Sequence, residues 1–132
     1  MAAGQGVITK PSPYSVPETM DRLERVLASK GIKVFARIDQ AAEAQQAGLT
    51  MLPMELLIFG NPRAGTPIMV AAPVSGLDLP LKALAWQDNA GAAWLSFNSP
   101  EYFRQRFDLS PDLVKAVSGL ETLIDLAIAR AE

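Results

Sequence analysis

The chain has 132 residues, no cysteine and no histidine, 49% hydrophobic and 20% charged residues, and a net charge of −2. That length holds one domain rather than two, enough to bury roughly two thirds of the surface the unfolded chain exposes. The missing residue types exclude disulfides, thiolate or imidazole metal sites and every Ser-His or Cys-His pair, leaving only Asp, Glu, Lys or Tyr as acid–base groups.

Residues 1–6 are small and polar and are expected to be flexible. They show no apolar signal-peptide core, and apolar runs elsewhere are too short to cross a bilayer, so a cytoplasmic protein is expected. Val7 and Ile8 begin a first strand running towards Pro11 or Tyr14. Ser15, Pro17 and Glu18 then form the start signal of a helix, with Ser15 accepting from the Glu18 amide. Val16, Met20, Leu23, Val26 and Leu27 share one face of that helix, and Gly31 ends it.

Residues 32–39 alternate, placing Ile32, Val34, Ala36 and Ile38 on one side and Lys33, Phe35, Arg37 and Asp39 on the other. Asp39 or Gln40 caps a short alanine-rich helix over residues 41–47, stopped by Gly48. Residues 54–59 are apolar except for Glu55 and read as a central strand. A turn follows over residues 60–65, and Thr66-Pro67 opens a short helix that Pro73 closes. Residues 81–88 form a strand, Asp88 to Gly91 a hairpin turn, and residues 93–97 the returning strand. Ser99-Pro100 caps a helix reaching Phe107. Ser110, Pro111 and Asp112 start the C-terminal helix of residues 108–132, with Leu113, Val117, Leu120, Ile124 and Ile128 on its buried stripe.

The order β-α-β-(α)-β-(α)-β-β-α-α predicts an α+β two-layer sandwich, a largely antiparallel sheet of about five strands backed by helices. Phe35, Trp86, Trp94 and Phe97 put apolar side chains on more than one side of the strands. A sheet with two apolar faces and one layer of helices calls for a homodimer on the second face.

The stretch Leu56-Leu57-Ile58-Phe59-Gly60-Asn61-Pro62 is followed by Gly65-Thr66-Pro67 and Leu77-Asp78-Leu79-Pro80-Leu81-Lys82. With Gly31-Ile32-Lys33-Val34-Phe35-Ala36-Arg37-Ile38-Asp39 and Trp94-Leu95-Ser96-Phe97-Asn98, it resembles the bacterial family known as domain of unknown function 302, over roughly residues 7–107. The resemblance implies a curved antiparallel sheet backed by helices, similar to the TATA-binding-protein topology. It implies no activity. Relatives of this pattern often carry histidine where this chain has Gln40, and near Phe107 or Asp108, so any histidine chemistry among them is closed to this chain.

Residues 60–66 spell Gly-x-x-x-x-Gly-Thr, the skeleton of a phosphate loop without its lysine. A helix start there, with Asn61, Arg63 and Thr66, could hold an anion; the alternative is a structural turn. Glu55 inside an apolar strand needs a partner, and Lys82 is the natural suspect, either as a structural ion pair or as part of a pocket where Asp39, Glu55, Asn61 and Lys82 meet a polar ligand. Trp86, Trp94, Tyr102 and Phe103 could stack on an aromatic ligand, or simply form core or interface. The acidic balance, with a pI near 5.1, argues against nucleic acid, and no membrane partner is expected. No metal, cofactor or complete catalytic motif is evident. The leading expectation is a non-catalytic small-ligand-binding or regulatory module acting as a homodimer, its ligand small and polar or anionic. An enzyme using Asp39, Glu55 or Lys82, or an interaction module using the apolar sheet face, are the alternatives.

Overall fold

The computed structural model describes residues 6–130. Of the stretch expected to be flexible, residues 1–5 lie outside the described residues, whereas Gly6 is tied in: its carbonyl accepts from the Ser99 amide at 2.8 Å. The first strand, β1 (Val7–Ser12), leads into α1 (Val16–Ser29). Ser15 caps α1 by accepting from the Glu18 amide, and Gly31 follows at φ +70°. A glycine there leaves the helix without the steric penalty a Cβ meets in the left-handed region.

After β2 (Lys33–Asp39) come α2 (Gln40–Gln46), β3 (Met54–Gly60), α3 (Pro62–Ala71) and a 3₁₀ turn over Pro73–Leu77. The hairpin of β4 (Leu81–Gln87) and β5 (Ala93–Asn98) follows, then α4 (Pro100–Phe107), the short α5 (Pro111–Val114) and α6 (Leu120–Ile128). The five strands make one antiparallel sheet in the order β1-β5-β4-β3-β2. The α+β two-layer expectation holds, with α1 and α6 packed on one face of the sheet.

On that face Leu57, Phe59, Ala83, Ala85, Leu95 and Phe97 pack against Met20, Leu23 and Leu27 of α1 and Ile124 of α6. Alternation along each strand puts these side chains on one side and leaves their neighbours on the other. A second core, built from Ile68, Leu79, Phe103, Leu109 and Val117, lies beside the sheet. Lys10 ties β1 to α6 through Glu121 (2.6 Å) and Asp125 (2.7 Å). Arg22 donates to the carbonyls of Ala127 and Ala129 at the end of α6, satisfying oxygens that a helix terminus leaves without partners.

Three expectations need correction. The pairing of β2 with β3 slips between Val34 and Ala36, so Phe35 is an extra residue in the ladder. A bulge reverses the alternation beyond it: Val34, Arg37 and Asp39 lie on the helical side, and Ala36 and Ile38 on the uncovered side. Helix α3 begins at Pro62 with Asn61 as its cap, five residues before the expected Thr66 cap, so Pro67 lies inside it. The C-terminal helix is also two helices, separated by a 3₁₀ turn at Lys115–Val117 and by Gly119. The break lets Val117 enter the second core while Leu120, Ile124 and Ala127 enter the first; a continuous helix would present both sets along one stripe.

Candidate functional site

Glu55 opens the inward-facing row of β3 and is 6% exposed. Its partner is Arg37, whose Nε donates to Glu55 Oε1 at 2.6 Å. The β2 bulge is what turns Arg37 inward to make this contact. The same guanidinium donates to Asp21 and Glu24 of α1, each at 2.7 Å, and to the Pro17 carbonyl at 3.1 Å. Burial works against its charge, but the hydrogen bonds to Glu55, Asp21 and Glu24 outweigh that and hold its pKa above the ordinary arginine range. One cation thus locks β2 and β3 to α1.

Lys82 is not part of this cluster. It pairs in register with Ile58, whereas Glu55 pairs with Ala85, so the two point to opposite faces of the sheet. The Lys82 ammonium instead donates to the carbonyls of Pro80 (3.1 Å) and Asp78 (3.4 Å). Asp39 stands opposite Glu55 in the β2–β3 ladder and caps α2 by accepting from the Ala42 amide at 2.9 Å. Both border a shallow hollow with Met51 and Met54. Asn61, just past the other end of β3, is about 20 Å of strand away from Glu55. The four residues expected to converge therefore fall into three separate places.

The Gly60–Thr66 segment forms no phosphate cradle. In the first turn of α3, the Arg63 amide donates to the Asn61 side chain at 3.0 Å, and the Ala64 and Gly65 amides donate to the Asn61 carbonyl at 2.9 and 3.0 Å. Pro62 has no amide to offer. The donors that would grip an anion are already used, and Arg63 is exposed.

What this segment does build is a cavity of about 180 Å³. Phe35, Met69, Leu79, Leu81 and Val117 line it, with Asn61 and Thr66 as its polar points. Phe35, 45% exposed, and Met69 keep exposed surface at its edge. Among the described residues the Thr66 hydroxyl makes no hydrogen bond, and Asn61 uses only its carbonyl oxygen. Of the six candidate residues, two thus share one concave, mostly apolar site. The bulge residue Phe35 and the distant Val117 escaped sequence reasoning because only tertiary packing brings them to Asn61.

Among the described residues no helix is long and apolar enough to cross a membrane, and no group of three or more Asp or Glu side chains is placed to hold a metal ion.

The fold and this site define a small α+β module with a sheet open on one face. The family model for "Domain of unknown function DUF302" matches residues 8–127, and the chain belongs to that family. The match runs some twenty residues beyond the stretch that carried the sequence resemblance, through most of α6. A crystal structure of an uncharacterized conserved DUF302 protein from Bacillus stearothermophilus superposes with a TM-score of 0.79 at 22% identity, covering 98% of this chain and all of that one. It shares the fold. Two longer proteins are similar over 117 residues at 43% identity: fluoride-specific ion channel FluC 1 of Brucella suis biovar 1 (strain 1330) and fluoride-specific ion channel FluC 1 of Brucella abortus biovar 1 (strain 9-941). The match takes in 89% of this chain but 46% and 43% of those proteins, so the chain spans less than half their length.

Proposed function

We propose that the chain is a non-catalytic, cytoplasmic regulatory module that binds one small, largely apolar, uncharged molecule between β3, α3 and the Lys115–Val117 turn. The observation that carries this reading is the cavity of about 180 Å³ with an apolar lining and two polar points, Asn61 and Thr66. Its size suits a single small ring, since an apolar protein cavity of about 150 Å³ takes up benzene. Apolar walls supply the affinity, and a free Asn61 amide and Thr66 hydroxyl would orient the ligand. The occupied first-turn amides favour an uncharged molecule over the anion suggested by the glycine spacing. The cysteine-free sequence suits a reducing compartment.

Native mass spectrometry of the purified chain tests for a retained adduct, and toluene serves as a defined probe in methyl NMR titration. Saturable shifts at Met69, Leu79 and Val117 that vanish in a folded Ala64→Trp variant support the reading. No adduct and no saturable shift refute it.

The longer Brucella proteins suggest where such a module acts. A channel needs membrane-spanning segments, and no described helix of this chain can span, so we assign their channel activity to the half this chain does not match. We infer that the DUF302 part regulates that half, and that this chain serves a membrane transport protein in the same way. Removing the DUF302 half from the Brucella suis protein should alter fluoride flux through the remainder; unchanged flux refutes a regulatory role.

A further inference from the structure

The face of the sheet away from the helices carries Ile38 from β2, Leu56 and Ile58 from β3, Leu84 and Trp86 from β4, and Trp94 from β5. All six are half-buried within the chain, and no helix lies over them. Trp86 and Trp94 stand side by side, ring centroids 6.2 Å apart and planes 24° apart.

The polar groups around its two tryptophans are already paired within the chain. Trp86 Nε1 donates to Ser96 Oγ at 2.8 Å, and Ser96 Oγ shares a second hydrogen bond of 2.8 Å with Thr9 Oγ1. Trp94 Nε1 donates to Asp88 Oδ2 at 2.8 Å. Covering this surface would strand none of these groups, which removes the main penalty for burying polar atoms. The charged side chains of the face lie at the strand ends: Lys33 where β2 begins, Lys82 where β4 begins with its ammonium turned to two backbone carbonyls, and Asp88 just past β4, held by Trp94.

We propose that this face is the interface of a homodimer, occupied by a second copy of the chain packed sheet against sheet. Its area is sufficient. Five strands about 4.8 Å apart, with six or seven residues of about 3.3 Å each, span close to 500 Å² as a flat plane. Two copies therefore bury about 1,000 Å² before side-chain relief is counted, the level at which specific interfaces begin. Its chemistry selects a copy of itself. With charges only at the strand ends, the centre of the face offers a charged partner nothing to read, while a second identical face brings the same apolar relief. Two such sheets stack about 10 Å apart, the geometry of a β-sandwich core. The proposal does not depend on the ligand cavity.

Sedimentation velocity on the purified chain at micromolar concentration tests it, together with Leu84→Glu and Ile58→Lys. The wild type should sediment at twice the 14.2 kDa of the chain. Either charge should weaken association about a hundredfold or more while far-UV circular dichroism and cooperative unfolding remain native. Acrylamide quenching of the two tryptophans in the wild type provides a readout free of any variant and should fall as concentration rises. A wild type that stays monomeric at high micromolar concentration overturns the proposal. So does a dimer unaffected by both folded variants, or quenching that is independent of concentration while dimer forms.

Discussion

Replacing Arg37 with Met tests whether one guanidinium holds the β2 bulge, β3 and α1 together. The variant keeps much of the apolar stem and removes the charge. Glu55, its side chain 8% exposed and 2.6 Å from Arg37, is then left as a buried carboxylate without its cation. Stranding a buried charge costs about 3–5 kcal/mol. Because the Arg37 side chain is itself 25% exposed, water can partly replace it, and about 2–3 kcal/mol is the better figure. The bridges to Asp21 and Glu24, whose side chains are 54% and 38% exposed, add no more than about 0.5 kcal/mol each. The total is about 3 kcal/mol, or a Tm lower by about 8–10 °C for a domain of this size. Urea and thermal unfolding at neutral pH should be run on Arg37→Met, Glu55→Gln and the double variant. Once Arg37 is gone, neutralising Glu55 should do no further harm, so the losses should be non-additive by about 1.5 kcal/mol or more. A loss under about 0.5 kcal/mol for Arg37→Met, or simple additivity, would refute the assignment of Glu55 as a charge that needs this partner.

Three further outcomes are expected. Hydrogen bonds from Lys10 to Asp125 and Glu121 raise its pKa above 10.5, so its contribution is complete below that value and is lost as pH rises through the higher folded one. Lys10→Met should thus lower stability by about 0.5–1 kcal/mol at neutral pH, and chemical denaturation should show the gap closing in strong alkali. The Trp94 indole, with the Ala92 and Ala90 amides, holds the Asp88 carboxyl below its usual 3.8. Its contribution is therefore present above that value and lost as pH falls through the depressed one; Asp88→Ala should lower Tm at pH 7 and match the wild type in strong acid, by differential scanning fluorimetry. Ser15→Ala removes the α1 cap and should cost about 1 kcal/mol in urea unfolding, while Ser15→Asp should restore most of it.

Elements whose signals are local were legible in the residues. Ser15, Gly31, Asp39, Ser99 and Ser110 mark helix ends because a side-chain oxygen or an absent Cβ acts within a few residues. The hairpin at Asp88 to Gly91 was readable for the same reason. The start of α3 has an equally local but ambiguous signal: Asn61-Pro62 and Thr66-Pro67 are both cap-plus-proline pairs. The earlier one prevails because Asn61 takes up three first-turn amides.

The candidate site was less legible. Asn61 and Thr66 were found, but the walls they share with Phe35, Leu79 and Val117 come from four parts of the chain. The expected partner of Glu55 was Lys82, and the β2 bulge that turns Arg37 towards Glu55 leaves no local signal in the residues. The residues alone determined an α+β chain without histidine or cysteine chemistry, one strongly amphipathic first helix, and a sheet with apolar residues on both faces. Only the tertiary structure decided that Phe35 bulges, that Glu55 meets Arg37 instead of Lys82, and that the C-terminal segment breaks at Gly119 to serve two cores. Each of those depends on which strand or helix lies alongside, and a one-residue slip in that pairing reverses every side chain beyond it.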